Sequence, residues 1–206
     1  MKKIMFNDKY GLTQAVLDGR KTMTRRMVPL SISNQTDWNA VEEDGNYISM
    51  VDGDEYYHDI RKCGRYRTGE VVAVAQCYED AILDVGEEKW NQIHKWYNTN
   101  YLCHEKGLHN KMFVKADLMP HHIKITNVDV KRLQDISVED CLKTGIGTWE
   151  SPWYSEPCYH LPITSEKVVY YNTPGAAIAA LVDKVNGKGT WKNNPWCFCY
   201  EFELID

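Results

Sequence analysis

Residues Trp196-Cys197-Phe198-Cys199-Tyr200-Glu201-Phe202-Glu203-Leu204 alternate aromatic or apolar side chains with a second set at a period of two. That period belongs to a β-strand, whose successive side chains point to opposite faces of a sheet. A strand of this length needs neighbours on its edges and cover on at least one face, so the chain must build a sheet around a packed core. With 206 residues, 43% of them hydrophobic, it can do so as one domain carrying insertions.

Other segments extend the pattern. Val71-Val72-Ala73-Val74-Ala75-Gln76-Cys77-Tyr78 is an almost continuous β-prone run, which predicts a strand buried on both sides. Met112 to Ala116 and Ile123 to Leu133 read as two more strands, and the broken alternation of Ile123, Ile125, Val128 and Val130 predicts a bulge near Thr126-Asn127. Helices are expected from Leu12 to a left-handed stop at Gly19 and over the amphipathic stretch Glu87 to Tyr97. Two more follow from Ser137, a capping residue, to Gly145 and from Thr173-Pro174 to Gly187. Asp44-Gly45-Asn46 and Asp52-Gly53-Asp54 flank Tyr47 to Val51 and predict a hairpin within a polar insertion, whereas Gly147 to Thr173 reads as a long loop. Strands interleaved with short helices make the fold class α+β and suit a small mixed β-barrel.

Charge restricts partners. A formal charge of −5 argues against coating nucleic acid indiscriminately. Its distribution is uneven: from Met27 to Ile60 there is no lysine or arginine but eight acids. Arg20, Lys21, Arg25 and Arg26 precede that stretch, and Arg61, Lys62, Arg65 and Arg67 follow it. Were the two basic knots to converge, they would form an anion site on an acidic protein; as separate solvated turns they would not. Seven cysteines without paired short spacings fit buried thiols in a reducing compartment better than disulfides or a metal site, and no metal or cofactor is implied. No apolar run is long enough to span a membrane, and no signal peptide follows Lys2-Lys3, so a cytoplasmic location is expected.

Gly19-Arg20-Lys21-Thr22-Met23-Thr24-Arg25-Arg26 resembles the G-x-K-T-x-T-x-R signature of ASCH domains, a family of the PUA-like superfamily. Three further blocks resemble phage and prophage members in the same order. They are Arg67-Thr68-Gly69-Glu70 with the strand after it, Leu133 to Leu142, and Asn186 to Trp191 with Asn193-Asn194-Pro195-Trp196. The resemblance implies one PUA-like mixed barrel over 1-206, with short peripheral helices and insertions at about 31-62, 81-111 and 147-173.

It also implies a pocket for RNA, a nucleotide or a modified nucleoside. Lys21 and Thr24 would carry chemistry there if the chain is an enzyme, with Lys21 as base and Thr24 as nucleophile toward an N4-acetylcytidine-like amide. Arg26 would hold a phosphate or an oxyanion, with Thr22 and Arg25 in the expected lining. Gln76 is expected to read a base edge, and Tyr78, Trp191 or Trp196 to stack on one. Family members that hydrolyse the amide have a glutamate where this chain has Thr144, and a threonine cannot replace a carboxylate. Binding is therefore the first expectation and hydrolysis the second. A third is a phage protein that engages a host protein through its acidic insertion.

Overall fold

The computed structural model describes residues 1–34, 36–39, 41, 47–51, 54–84, 91, 95, 106–150, 152, 156–161 and 168–206. The helix expected over Glu87 to Tyr97 falls almost wholly outside them, as do the turn residues Asp44-Gly45-Asn46 and Asp52-Gly53.

The chain opens with β1 (Lys2–Ile4) and α1 (Leu12–Leu17), followed by β2 (Met23–Met27) and the single-turn α2 (Leu30–Ser33). The expected hairpin is present as β3 (Tyr47–Val51) and β4 (Asp54–His58), paired antiparallel. Next come β5 (Val71–Val74), α3 (Tyr78–Leu83), β6 (His122–Arg132) and α4 (Val138–Lys143). Three short strands, β7 (Gly147–Trp149), β8 (Cys158–His160) and β9 (Tyr170–Tyr171), form a separate sheet. α5 (Pro174–Asn186), α6 (Thr190–Asn193) and β10 (Trp196–Leu204) close the order.

The fold is α+β, built on a five-stranded sheet in the order β1-β5-β6-β10-β2. β1 and β5 are parallel and every other pair is antiparallel. The expected bulge is present: Glu201 pairs with Asn127 and Phe202 with Ile125, which leaves Thr126 as the extra residue. The closed barrel is not, because among the described residues β1 and β2 remain edge strands. Arg26 on β2 instead donates from its guanidinium to the carbonyl of Met5, just past β1. A side chain thus links the two edges where a barrel would have a backbone ladder.

β10 is the structural axis, with β6 on one edge and β2 on the other. Residues Trp196 through Tyr200 are all buried, so the sequence alternation reflects two covered faces rather than one core face and one wet face. Phe198, Tyr200 and Phe202 point into the main core with Ile4, Phe6, Val74, Ile123 and Ile125. Each aromatic buried there contributes roughly 1.5–3 kcal/mol of transfer free energy. Cys197 and Cys199 lie on the opposite face, where burial pushes their thiols up to about 12 and about 11. All cysteines among the described residues are free, as expected for structural thiols.

Three expectations give way to packing. The β-prone run stops at Val74, because Tyr78 begins α3 and turns inward as the centre of a second core cluster with Ala73, Ala75 and Met119. Met112 to Ala116 is not a strand but two 3-10 turns around Val114. The loop from Gly147 to Thr173 contains the three-stranded sheet, whose strands of two or three residues are too short to show a period. Capping behaved locally: Ser137 accepts from Asp140 N, and Thr173 accepts from Ala176 N with Pro174 at the first helical position.

Candidate functional site

The basic motif leaves α1 through Gly19, whose φ of 71° is left-handed as expected, and enters β2. Lys21 sits between the two. It forms an isolated β-bridge with Thr144 at the end of α4, and Thr22 N donates to Lys143 O beside it. Gly145 permits this approach: a Cβ there would lie 3.0 Å from Lys21 Cβ and 3.1 Å from Ala15 Cβ, at a φ of +92°. Thr144, where the resemblance implies a glutamate in hydrolysing relatives, meets Lys21 through its backbone.

Lys21 is only 4% exposed. Its Nζ donates to the carbonyls of Met23 at 2.7 Å and Thr144 at 2.8 Å, and no carboxylate among the described residues pairs with it. Desolvation, with a smaller repulsion from Arg26, brings its pKa down to about 7. A neutral amine has two N–H bonds and one lone pair. The two carbonyls take both N–H bonds, so the lone pair remains for an incoming proton or ligand. Of the acids Glu79, Asp80, Asp117 and Asp135, none pairs with Lys21: Glu79 bonds His109, Asp80 accepts from the Cys77 thiol, Asp117 meets the terminal amine, and Asp135 offers only its backbone carbonyl, to Arg25. Thr144 donates its own hydroxyl to Cys141 O at 2.6 Å.

Lys21, Thr24, Arg25 and Arg26 line one cleft of about 140 Å³ together with Phe6. Its far wall is the apolar side of α5, with Ile178, Leu181 and Val182. Both cations face the same ring: Lys21 Nζ is 5.7 Å and the Arg26 guanidinium 5.8 Å from the Phe6 centroid. Arg26 as a whole residue is exposed, yet its guanidinium is desolvated enough to lower its pKa; Tyr66 and Tyr200 oppose that shift and Arg65 adds to it. Thr24 is 7% exposed on β2 opposite Tyr200.

The remaining expected residues divide. Arg25 borders the cleft and directs its two terminal nitrogens to the carbonyls of Arg132, Leu133 and Asp135, with Asp140 Oδ2 at 3.7 Å, while its buried Nε has no hydrogen-bond partner among the described residues. It is a brace for the turn that carries α4. Thr22 contributes backbone hydrogen bonds and does not line the cleft. Tyr78 is 1% exposed and its hydroxyl accepts from Lys115 N, so it has no face to offer a base. Trp196 is 9% exposed, stacked on Trp38 at 4.6 Å with the Arg132 guanidinium 4.5 Å from its ring, and these contacts cover its faces while its Nε1 has no hydrogen-bond partner among the described residues. Gln76 lines a different cleft on the other side of α1. The basic knots meet only through Arg26 and Arg65, since Arg61 is held by Asp59 and Arg67 by the carbonyls of Gly64 and Tyr66.

Phe6 and the α5 wall were not singled out from sequence. The signal for α5 was available in the spacing of Ile178, Leu181, Val182 and Val185, which share one helical face. No family model matches the chain, and neither a curated protein nor a solved structure matches it. Among the described residues no helix is long and apolar enough to cross a membrane.

Proposed function

We propose that the cleft between β2 and α5 binds a nucleotide, a modified nucleoside or an unpaired RNA residue, in an ASCH-like domain whose PUA-like sheet is bridged by Arg26 rather than closed. The observation that carries this reading is the pair Lys21 and Arg26 on one aromatic ring. Neither has a carboxylate partner among the described residues, although acids outnumber lysines and arginines in the chain by 29 to 24. Two desolvated, mutually repelling cations left uncompensated on an acidic protein favour an anionic ligand. The apolar α5 wall suits a flat ring, and the small volume suits one base rather than a stretch of strand.

Titration of nucleotides over a salt series tests it. Arg26→Ala is expected to weaken binding about tenfold and to flatten the salt dependence. Equal affinity and equal salt slope in wild type, Lys21→Ala and Arg26→Ala would remove the reading. In wild type, affinity for a phosphate-bearing ligand should rise as pH falls through about 7, where Lys21 gains its proton.

A second reading is favoured by that same amine. Near pH 7, where about half of Lys21 is the neutral amine, it shares its cleft with Thr24, and a base with a hydroxyl is the pair needed to attack an N-acyl group. The missing carboxylate at Thr144 makes slow or absent turnover the expected outcome. Incubation with N4-acetylcytidine, followed by chromatography, separates the two readings: deacylation lost in Thr24→Ala establishes the hydrolase, and no product leaves a binding site. A third reading, a phage protein that engages a host protein through its acidic residues 31–60, is tested by a pull-down that depends on them.

A further inference from the structure

β2 ends the five-stranded sheet, so among the described residues one of its edges has no neighbouring strand. The register decides which backbone groups lie on that edge. Phe202 N donates to Thr22 O and Val28 N to Trp196 O, and both pairs continue the β2–β10 register by one residue at either end. Opposed residues of an antiparallel pair alternate between bonded and non-bonded positions, so Thr22, Thr24, Arg26 and Val28 turn their backbone toward β10. Met23, Arg25 and Met27 turn theirs to the open edge.

That edge faces the basic cleft. Lys21, which lines the cleft, donates from Nζ to the Met23 carbonyl at 2.7 Å, and this carbonyl is the first acceptor on the edge. Arg25 and Met27 line the cleft as well. The lining draws on both faces of β2: Arg26 lies beside Phe6 on one, and Leu133 accepts from Arg25 on the other. A cleft bordered by both faces of a strand runs along its edge, here with the apolar side of α5 as the facing wall. Beyond Met23 no described residue bonds the carbonyl of Arg25 or the N–H of Met27, which flank Arg26 and point the same way. Met27 is 43% exposed, so this end of the edge is open. Open edge groups are a template for whatever presents matching donors and acceptors.

We propose that the Arg25 carbonyl and the Met27 N–H read the pairing edge of the bound base, so that the backbone of β2, rather than a side chain such as Gln76, selects the ligand. The inference rests on the nucleotide reading of this cleft. One acceptor beside one donor on a rigid strand matches the donor beside an acceptor that the pairing edge of each nucleobase offers. Arg26 leaves the strand between the two reading groups, which keeps its guanidinium for the phosphate of the same ligand. Two consequences follow from the use of this edge. A base already paired in a duplex has nothing left to offer β2, and a base alkylated on its pairing edge leaves the Arg25 carbonyl without a donor.

Calorimetric titration of the wild type with adenosine monophosphate and uridine monophosphate tests the proposal. Each is compared with its alkylated form, dimethylated on the exocyclic amine or methylated on the ring N–H. For whichever parent binds more tightly, the alkylated form should bind at least about tenfold more weakly. Met27→Pro deletes the donor on β2, and an edge strand tolerates proline where its nitrogen faces outward. It should cost about tenfold in affinity for the parent nucleotide and leave the salt dependence as in wild type, because no charge is removed. A circular dichroism melt verifies that it folds; should it not, the alkylated ligands decide alone on the wild type. Parent and alkylated forms of equal affinity, or a folded Met27→Pro that binds as wild type does, would overturn the edge reading and leave the nucleotide site standing. Failure of both parent nucleotides to bind would overturn both.

Discussion

Between pH 7 and pH 10 the wild-type protein is expected to gain about 3.5 kcal/mol of stability relative to Lys21→Met. The folded Lys21 has a pKa of about 7 because burial and Arg26 disfavour its charge, whereas an unfolded lysine titrates near 10.4. Below about pH 7 both states carry the proton and the difference is constant. Through the window above it, only the unfolded state holds the proton, so stability rises with pH at about 1.4 kcal/mol per unit until the unfolded amine also titrates. Methionine keeps most of the volume and has nothing to titrate. Its cost, the unpaired carbonyls of Met23 and Thr144, does not depend on pH. Denaturant unfolding of both proteins at the two pH values measures the double difference, in which every other titrating group cancels. Parallel curves would mean that the Lys21 amine is solvated and charged.

Arg25→Met should cost about 3 kcal/mol or more, while Arg26→Ala one residue later should unfold close to wild type and lose ligand instead. The two arginines are adjacent in sequence but belong to opposite faces of β2. Arg25 has a side-chain exposure of 6% and reaches three carbonyls at the end of β6 and the turn beyond it. Removing it strands two part-buried carbonyls, each costing about 1–3 kcal/mol when left unmade, and leaves the exposed Asp135 carbonyl to water. Arg26 makes one carbonyl bond, to Met5, and otherwise faces Phe6 and the cleft. Thermal melts of both variants, with and without nucleotide, separate bracing from binding. Equal melting temperatures in the two would refute the division.

The alternation in Trp196 to Leu204, the caps at Ser137 and Thr173, the left-handed Gly19 and the bulge at Thr126 were legible because each depends on a few neighbouring residues. The grouping of Lys21, Thr24 and Arg26 was legible too, since one short motif carries all three into one strand and its entry turn. Tyr78 and Gln76 were misplaced for a common reason. An apolar run predicts strand, and only the packing of Tyr78 against Ala73, Ala75 and Met119 shows that the chain turns there into a helix, carrying Gln76 to the other side of α1.

Local chemistry thus specified which segments are strands and helices, and which motif holds the cations. Whether the sheet closes, what faces Lys21 and where the aromatics go depended on contacts between separate segments, some of them more than a hundred positions apart. The bridge from Lys21 to Thr144 and the bonds from Arg25 to the turn after β6 are of this kind. Such pairings arise from the collective burial of the core around β10, a free energy that no window of sequence contains. The same burial strips water from Lys21 and so sets the charge state on which the chemistry of the cleft depends.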